Sequence, residues 1–329
     1  MDEQAVSGIY VYRGGRAPEN ITHAIIDKSV RVIDEEAFEN NSNLQSVVTH
    51  DKLEKIERAA FVGCDSLTHI DIQSVKILDS YALAESGLTE LDCDNLEIIR
   101  DNVFENCKSL RRIIMPKVKI IEGCAFESTV LTEVEFPEVL EKIQGGNVFY
   151  DNRSLRRIVL PLKKDLFFAE DSEEEDYLYA DTAFDGCDNL ATVELVGGIH
   201  NTVSSLHMES WRKDMIQEIN GINLTLASIP SPQKTKVIRW WMQSVHSRIE
   251  HYKTKHYIVL KEATTLFELA LWKAKLEEEE EEEDEDESLE ATTKKVKIDV
   301  ASARCQRRIT SRASIVIKNI LPFLELKLK

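Results

Sequence analysis

The residues of this chain that could do chemistry are eight histidines, six cysteines and a large excess of carboxylates. A zinc site on a helix needs two imidazoles one turn apart, so that both reach one ion. None of His23, His50, His69, His200, His207, His246, His251 and His256 stands in an HExxH arrangement. His246, His251 and His256 are five residues apart, a spacing that splays them around a helix. No GxxxxGK[ST] segment and no strand-borne GxGxxG offers a cradle for phosphate, and Gly145-Gly146 and Gly197-Gly198 read as turns. A GxSxG nucleophile elbow is also missing. The expectation is a protein without catalytic residues, cofactor or metal. Cysteines form no CxxC pair; Cys64, Cys107 and Cys187 each follow a phenylalanine by three residues, which reads as small buried side chains in a reducing compartment.

The elements that position everything else are repeats. Large apolar anchors recur at Phe38, Phe61, Leu83, Phe104, Phe126, Phe149 and Phe184, with gaps of 23, 22, 21, 22, 23 and 35 residues. A unit this short cannot bury its own apolar face and must stack on its neighbours. Units such as IERAAFVGCDSLTHIDI (from Ile56) and IRDNVFENCKSLRRIIM (from Ile99) share the frame I-x-x-x-A-F-x-x-C-x-x-L-x-x-I-x-I. The units around Leu83 and Phe126 are one residue short between anchor and leucine, and the unit around Phe149 gains one before its anchor. Each unit ends in period-two alternation (Ile70/Ile72, Ile113/Met115, Val134/Phe136, Ile158/Leu160), which predicts one short strand with one face inward. Pro116, Pro137 and Pro161 are expected to close three of these strands.

This frame resembles the BspA-like class of leucine-rich repeat. The wider chain is similar to the BspA-like repeat proteins of diatoms, through YVYRGGRAPENITHAIIDKSVRVIDEEAFEN, CDNLATVELVGGIH at 187–200, HYKTKHYIVLKEATTLFELALWKAKL at 251–276 and IVIKNILPFLEL near the end. The resemblance implies an α+β architecture: a solenoid of about seven repeats with short parallel strands, used for protein–protein interaction, with no known catalytic residues. The expected organisation is a lead-in over 1–20, the solenoid over 21–199 with an acidic insertion at 163–176, and a helical cap and hairpin over 200–276. An acidic then basic disordered linker follows over 277–298, and a C-terminal segment over 299–329.

Outside the repeats, Met208, Trp211, Met215, Ile219 and Ile222 form one amphipathic stripe, read as the cap of the last coil. After Pro230 and Pro232 a second stripe runs through Ile238, Trp241, Val245, Ile249 and Tyr252, continuing through Val259, Ala263, Leu266 and Ala270. This long helix, 235–276, could instead pair two copies as a homodimer, though its heptad pattern is imperfect. Residues 277–290 carry 12 acidic side chains; without them the net charge of −18 becomes −6. A mildly acidic body without a basic stripe argues against nucleic acid, and no apolar run reaches the ~20 residues of a membrane span. Ser172 in the insertion sits in an acidic context that suits phosphorylation, and TKKVKID is compatible with nuclear import. The N-terminal MDEQAVSGIY has no basic or apolar leader, so a cytoplasmic protein is expected, with the nucleus as the other location.

The strand reading also defines one surface. The residues that alternate with the inward ones are His69 and Asp71, Glu90 and Asp92, Arg112 and Ile114, Glu133 and Glu135, Arg157 and Val159. Their charges alternate from coil to coil. They form either a ladder that satisfies itself and keeps register, or a mixed-charge strip for a protein ligand. The leading expectation is a non-catalytic interaction scaffold. The alternatives are a nuclear or chromatin-associated binder of basic proteins through the acidic run, and an adaptor that delivers clients to an enzyme complex.

Overall fold

The computed structural model describes residues 9–167, 182–197, 199–206 and 208–286. Ser172 with the acidic stretch from 168, His207, TKKVKID and IVIKNILPFLEL lie outside the described residues. The described residues form two compact units: one is those up to Asn201 together with Asp214–Ser247, the other is Thr202–Lys213 together with those from Arg248 to Asp286.

The first unit is a solenoid. The chain enters through β1 (Ile9–Tyr12) and then lays two strands per coil: β2 (His23–Ile26) and β3 (Val32–Ile33), β4 (Ser46–Val48) and β5 (Lys55–Ile56), β6 (His69–Ile70) and β7 (Ile77–Leu78). Next come β8 (Glu90–Asp92) and β9 (Ile98–Ile99), β10 (Arg112–Ile114) and β11 (Ile120–Ile121), and β12 (Glu133–Glu135) and β13 (Lys142–Ile143). Strands β14 (Arg157–Pro161) and β15 (Thr192–Val196) then extend the first strand of each coil over two further coils and pair with each other. All pairings are parallel. The expectation of one strand per repeat is corrected to two. The second strands are two residues long, too short to show alternation in sequence. The lead-in is corrected as well: IYVY pairs residue for residue with HAII, so the solenoid begins inside 1–20.

All seven anchors are fully buried. Phe38 stacks on Phe61 (centroids 4.8 Å apart), and Phe104, Phe126, Phe149 and Phe184 stack in succession at 5.3, 5.3 and 5.6 Å. Leu83 interrupts this column. From Phe38 to Phe149, the corner that aims each anchor inward has a backbone signature: the residues two before and two after the anchor adopt positive φ. These pairs are Glu36/Asn40, Ala59/Gly63, Tyr81/Glu85, Asn102/Asn106, Cys124/Ser128 and Asn147/Asp151. None is β-branched, as the steric cost of that backbone region requires.

Three residues past each anchor lies a small buried side chain: Asn41, Cys64, Ser86, Cys107, Thr129, Asn152 and Cys187. Four of them donate to the anchor carbonyl of the preceding coil: Cys64 to Phe38 (3.1 Å), Cys107 to Leu83 (3.2 Å), Asn152 to Phe126 (2.6 Å) and Cys187 to Phe149 (3.0 Å). Thr129 also bonds Asn152. Burial pushes the Cys64 and Cys187 thiols up to about 12 and the Cys107 thiol to about 11, which keeps them protonated as donors. The expected buried cysteines are thus also hydrogen-bonding rungs, and all five described cysteines are free.

Both ends are closed by the chain itself. At the start, Tyr12 extends the aromatic column (5.1 Å from Phe38), and its hydroxyl accepts a bond from the Asp34 amide at 3.0 Å. At the far end, Asn223 donates to the Val193 carbonyl (3.0 Å) and accepts from the Val193 amide (2.9 Å). The buried Lys234 ammonium donates to the carbonyls of Cys187, Asp188 and Leu190 at 3.0, 2.8 and 2.7 Å, using all three of its N–H groups. Burial pulls its pKa below the usual lysine value. Thr235 accepts from the Phe184 amide at 3.0 Å. The acidic insertion was expected from residue 163, but Leu166 and Phe167 are buried: Leu166 accepts from the Ile143 amide and Phe167 packs edge-on against Phe184.

The helices are α1 (Ile199–Ser204), α2 (Glu209–Gly221) and α3 (Ser231–Asp286), with 3-10 turns at Ile222–Leu224 and Leu226–Ser228 before α3. The stripe from Ile238 to Tyr252 is buried throughout, and the Trp241 indole donates to the Glu218 carbonyl. Three expectations are corrected. The bonds that close the last coil come from Asn223, Lys234 and Thr235 and not from α2, because an open strand edge needs free donors and acceptors and a helix flank has none to give. Past Tyr252, Val259 and Leu266 are exposed, so the stripe does not continue through them. And α3 runs beyond 276 to Asp286: glutamates are good helix formers, and extending a formed helix costs no new nucleus.

Candidate protein-binding face

The strands form two rows. The row β3-β5-β7-β9-β11-β13 is one unbroken six-stranded sheet. The other falls into three sheets, β1-β2-β4-β6, β8-β10 and β12-β14-β15. Each break comes directly after a unit that is one residue short between anchor and leucine, the units of Leu83 and Phe126. In the first of these, Gly87 approaches the preceding coil so closely that a Cβ there would stand 2.2 Å from the Asp65 carbonyl oxygen.

The breaks divide the expected strip. His69 and Asp71 are exposed at the edge of the first sheet. Glu90, Asp92 and Arg112 make the second patch: Arg112 meets Asp92 at 3.3 Å and Glu90 at 3.7 Å, with Glu90 opposite Arg112 in register. Glu133, Glu135 and Arg157 make the third. Arg157 reaches Glu135 (2.6 Å), Glu133 (3.3 Å) and Glu194 (2.9 Å) at once. The Arg157 guanidinium holds the Glu194 carboxyl below its ordinary value. No ion pair of these residues spans a break among the described residues. Val159, expected to face outward, is buried, because β14 is covered on both faces.

Sequence reasoning missed two features. The first is apolar. Val11, Ile25 and Val48 are register partners on β1, β2 and β4, and their exposures of 39%, 41% and 55% are high for such side chains. Ile9 adjoins them at 47%, in the row that continues through His23, Ser46 and His69. Single exposed apolar residues are ordinary; a contiguous row across three strands is not. Its signal, the outward positions of IYVY, HAII and SVV, lay at and before the start of the frame. The second is a ladder beside the unbroken row: Arg31, Glu54, Lys76, Glu97, Lys119 and Glu141 alternate in sign. Each amide from Glu54 to Glu141 donates to the carbonyl of the residue one coil before at 2.8 Å. Arg31 meets Glu54 at 2.9 Å and Lys119 meets Glu97 at 2.6 Å. Writing the units in register, two residues before each Ile33-type position, would have revealed it.

Among the described residues no three His, Cys, Asp or Glu side chains converge as a metal site, and no helix is long and apolar enough to cross a membrane. The five described cysteines are dispersed or act as ladder rungs.

Residues 17–117 and 76–167 match the model of the BspA type leucine rich repeat region, in six copies. With two-strand coils stacked on these anchors, residues 17–167 form a BspA type leucine-rich-repeat region. Proteins built on this repeat commonly mediate protein interaction or surface binding, and the fold is typically a non-catalytic scaffold. Among solved structures, the chain is similar to a leucine rich cell surface protein of Faecalibacterium prausnitzii, at 22% identity and a TM-score of 0.43, over 57% of this chain and 63% of that one. It is also similar to a leucine-rich-repeat protein of T. pallidum, at 19% identity and a TM-score of 0.37, over 61% of this chain and 88% of that one. A leucine-rich repeat protein from Bacteroides ovatus aligns at 18% identity with a TM-score of 0.27, over 59% and 70% of the two chains. No curated protein matches the chain.

Proposed function

We propose that this chain is a non-catalytic interaction scaffold that docks a protein partner on the interrupted strand row, at its N-terminal apolar stretch. The observation that supports this most is the register-matched exposure of Val11, Ile25 and Val48. Parallel strands about 4.8 Å apart hold these side chains in a fixed row, so a partner meets a preformed apolar strip at little ordering cost. Such a strip calls for a protein surface or extended segment with apolar side chains on one side. The ion-paired residues Glu90, Asp92, Arg112, Glu133, Glu135 and Arg157 are already satisfied by one another, and they serve as a polar margin that tunes approach more than affinity. The five described cysteines are free thiols, three of them working as hydrogen-bond donors, which favours a reducing, intracellular setting.

The test is capture of partners by the tagged full chain, followed by a quantitative binding measurement with the purified partner. Val11→Asp with Val48→Asp abolishes binding on this reading, while Arg112→Ala with Arg157→Ala changes it less than about tenfold. Thermal melts confirm that both variants are folded. Loss of binding in the arginine pair with retention in the valine pair would move the site to the charged strip.

A further inference from the structure

Beyond Tyr252 the α3 helix exposes apolar side chains on a new face. Its less exposed positions, Tyr252, His256, Leu260, Ala263, Phe267 and Leu271, advance by 4, 4, 3, 4 and 4 residues, an 11-residue period that explains the imperfect heptads. Away from that stripe, Leu266, Leu269 and Trp272 are 67%, 57% and 69% exposed. They sit three residues apart, so they cluster on one side of the helix within about 9 Å along its axis.

We propose that this face pairs, antiparallel, with the same face of a second copy of this chain. Charge along the helix selects both occupant and direction. Residues 252–261 (YKTKHYIVLK) carry Lys253, Lys255 and Lys261 and no carboxylate. The helix then ends in ten consecutive acidic residues, 277–286. An antiparallel pair centred on Leu269 sets Leu266 against Trp272 of the second copy. The same register lays residues 277–286 of each copy along residues 252–261 of the other, a stretch with three lysines and no carboxylate. A parallel pair would set ten acidic residues against ten at helix-packing distance, about 8–10 Å, within a Debye length at ordinary salt. Three apolar side chains per copy bury less than the roughly 1,000 Å² of a tight interface, so the dimer is weak and its electrostatic share is large.

Sedimentation equilibrium of the full chain, at concentrations from about 1 to about 200 μM, tests this in the range where a micromolar dimer would dissociate. The expected result is a mass that rises from one chain towards two. Leu269→Glu holds the protein at one chain with an unchanged melting temperature, since the side chain is exposed. Lys255→Glu with Lys261→Glu weakens association at low salt at least tenfold, and molar salt does the same to the unaltered chain. A single-chain mass at every concentration overturns the proposal, as it would if another segment of the chain covered this face. Association that survives Leu269→Glu, or that tightens with salt, overturns it too.

Discussion

The two strand rows of the solenoid come from the same coils and yet differ in continuity. The row β3 to β13 is bonded without a gap and flanked by a six-member charge ladder with 2.8 Å backbone bonds at every step. The row β1 to β15 breaks twice, presents apolar side chains before the first break, and presents clustered ion pairs after it. A single residue lost on the path from anchor to leucine displaces only the strand immediately downstream, which belongs to the interrupted row. The opposite row lies before the anchor in each coil and keeps its register. One row therefore carries the stack, and the other is left to vary in chemistry.

The largest test removes what both rows share. Phe126→Ala deletes a ring stacked on Phe104 and Phe149 and should cost about 3–5 kcal/mol, read as a lower denaturation midpoint. If the ring mattered to one row alone, hydrogen exchange would rise there only; equal loss of protection on β11 and β12 is the expected outcome. A smaller test addresses the interrupted row. Gly87→Ala drives a methyl against the Asp65 carbonyl and should cost about 1–3 kcal/mol. Exchange should rise around β6 and β8 while β7 and β9 stay protected. Uniform loss across both rows would mean that the short segment braces the whole stack.

How much of this was legible in sequence depends on element length. Phe38 to Phe184 declare the coils because one ring per unit is large and regular. The second row hid because Lys55–Ile56 or Ile120–Ile121 is too short to alternate. The buried donors three residues past each anchor were visible as cysteines in three coils only. Asn41, Ser86, Thr129 and Asn152 occupy the same place, and what unites them is small size and hydrogen-bonding capacity, not residue type. The apolar strip escaped because Val11 and Ile25 precede the first anchor. Lys234 could not be foreseen as the cap, since it is 47 residues from Cys187 in sequence and its role depends on three carbonyls that only the fold brings together.

Acid compares the ion pairs of the two rows. Arg157 holds Glu194, and Lys119 holds Glu97, below the ordinary glutamate value of 4.5. A depressed carboxyl binds its proton more weakly folded than unfolded, so its contribution is complete above 4.5 and fades as pH falls through the lower folded value. The part of the melting temperature that these two pairs supply should therefore drop on acidification below about pH 4.5. Arg157→Met should flatten part of that drop. At neutral pH its cost should be on the order of 1 kcal/mol or less, as for most surface pairs. A larger neutral-pH loss would make the clustered pairs of the interrupted row structural and not marginal.

The smallest effect asks whether the breaks reflect strain or only length. Glu36 stands two residues before its anchor and Glu85 two residues after its own, both exposed, with φ of 56° and 55°. Glu36 belongs to a full-length coil, and Glu85 lies on the short path that precedes the first break. Glycine relieves a left-handed backbone but adds freedom to the unfolded chain, so each Glu→Gly change should raise stability by a net of about 0.5 kcal/mol. Equal φ values imply equal gains, measured as paired shifts in denaturation midpoint. In that case the shortened coil breaks the row by where it ends and not by energy held in its corner. A gain at Glu85 more than about twice that at Glu36 would reverse this: the corner would then be the strained point, and restoring one residue between Leu83 and Leu88 should both abolish the excess and rejoin β6 to β8.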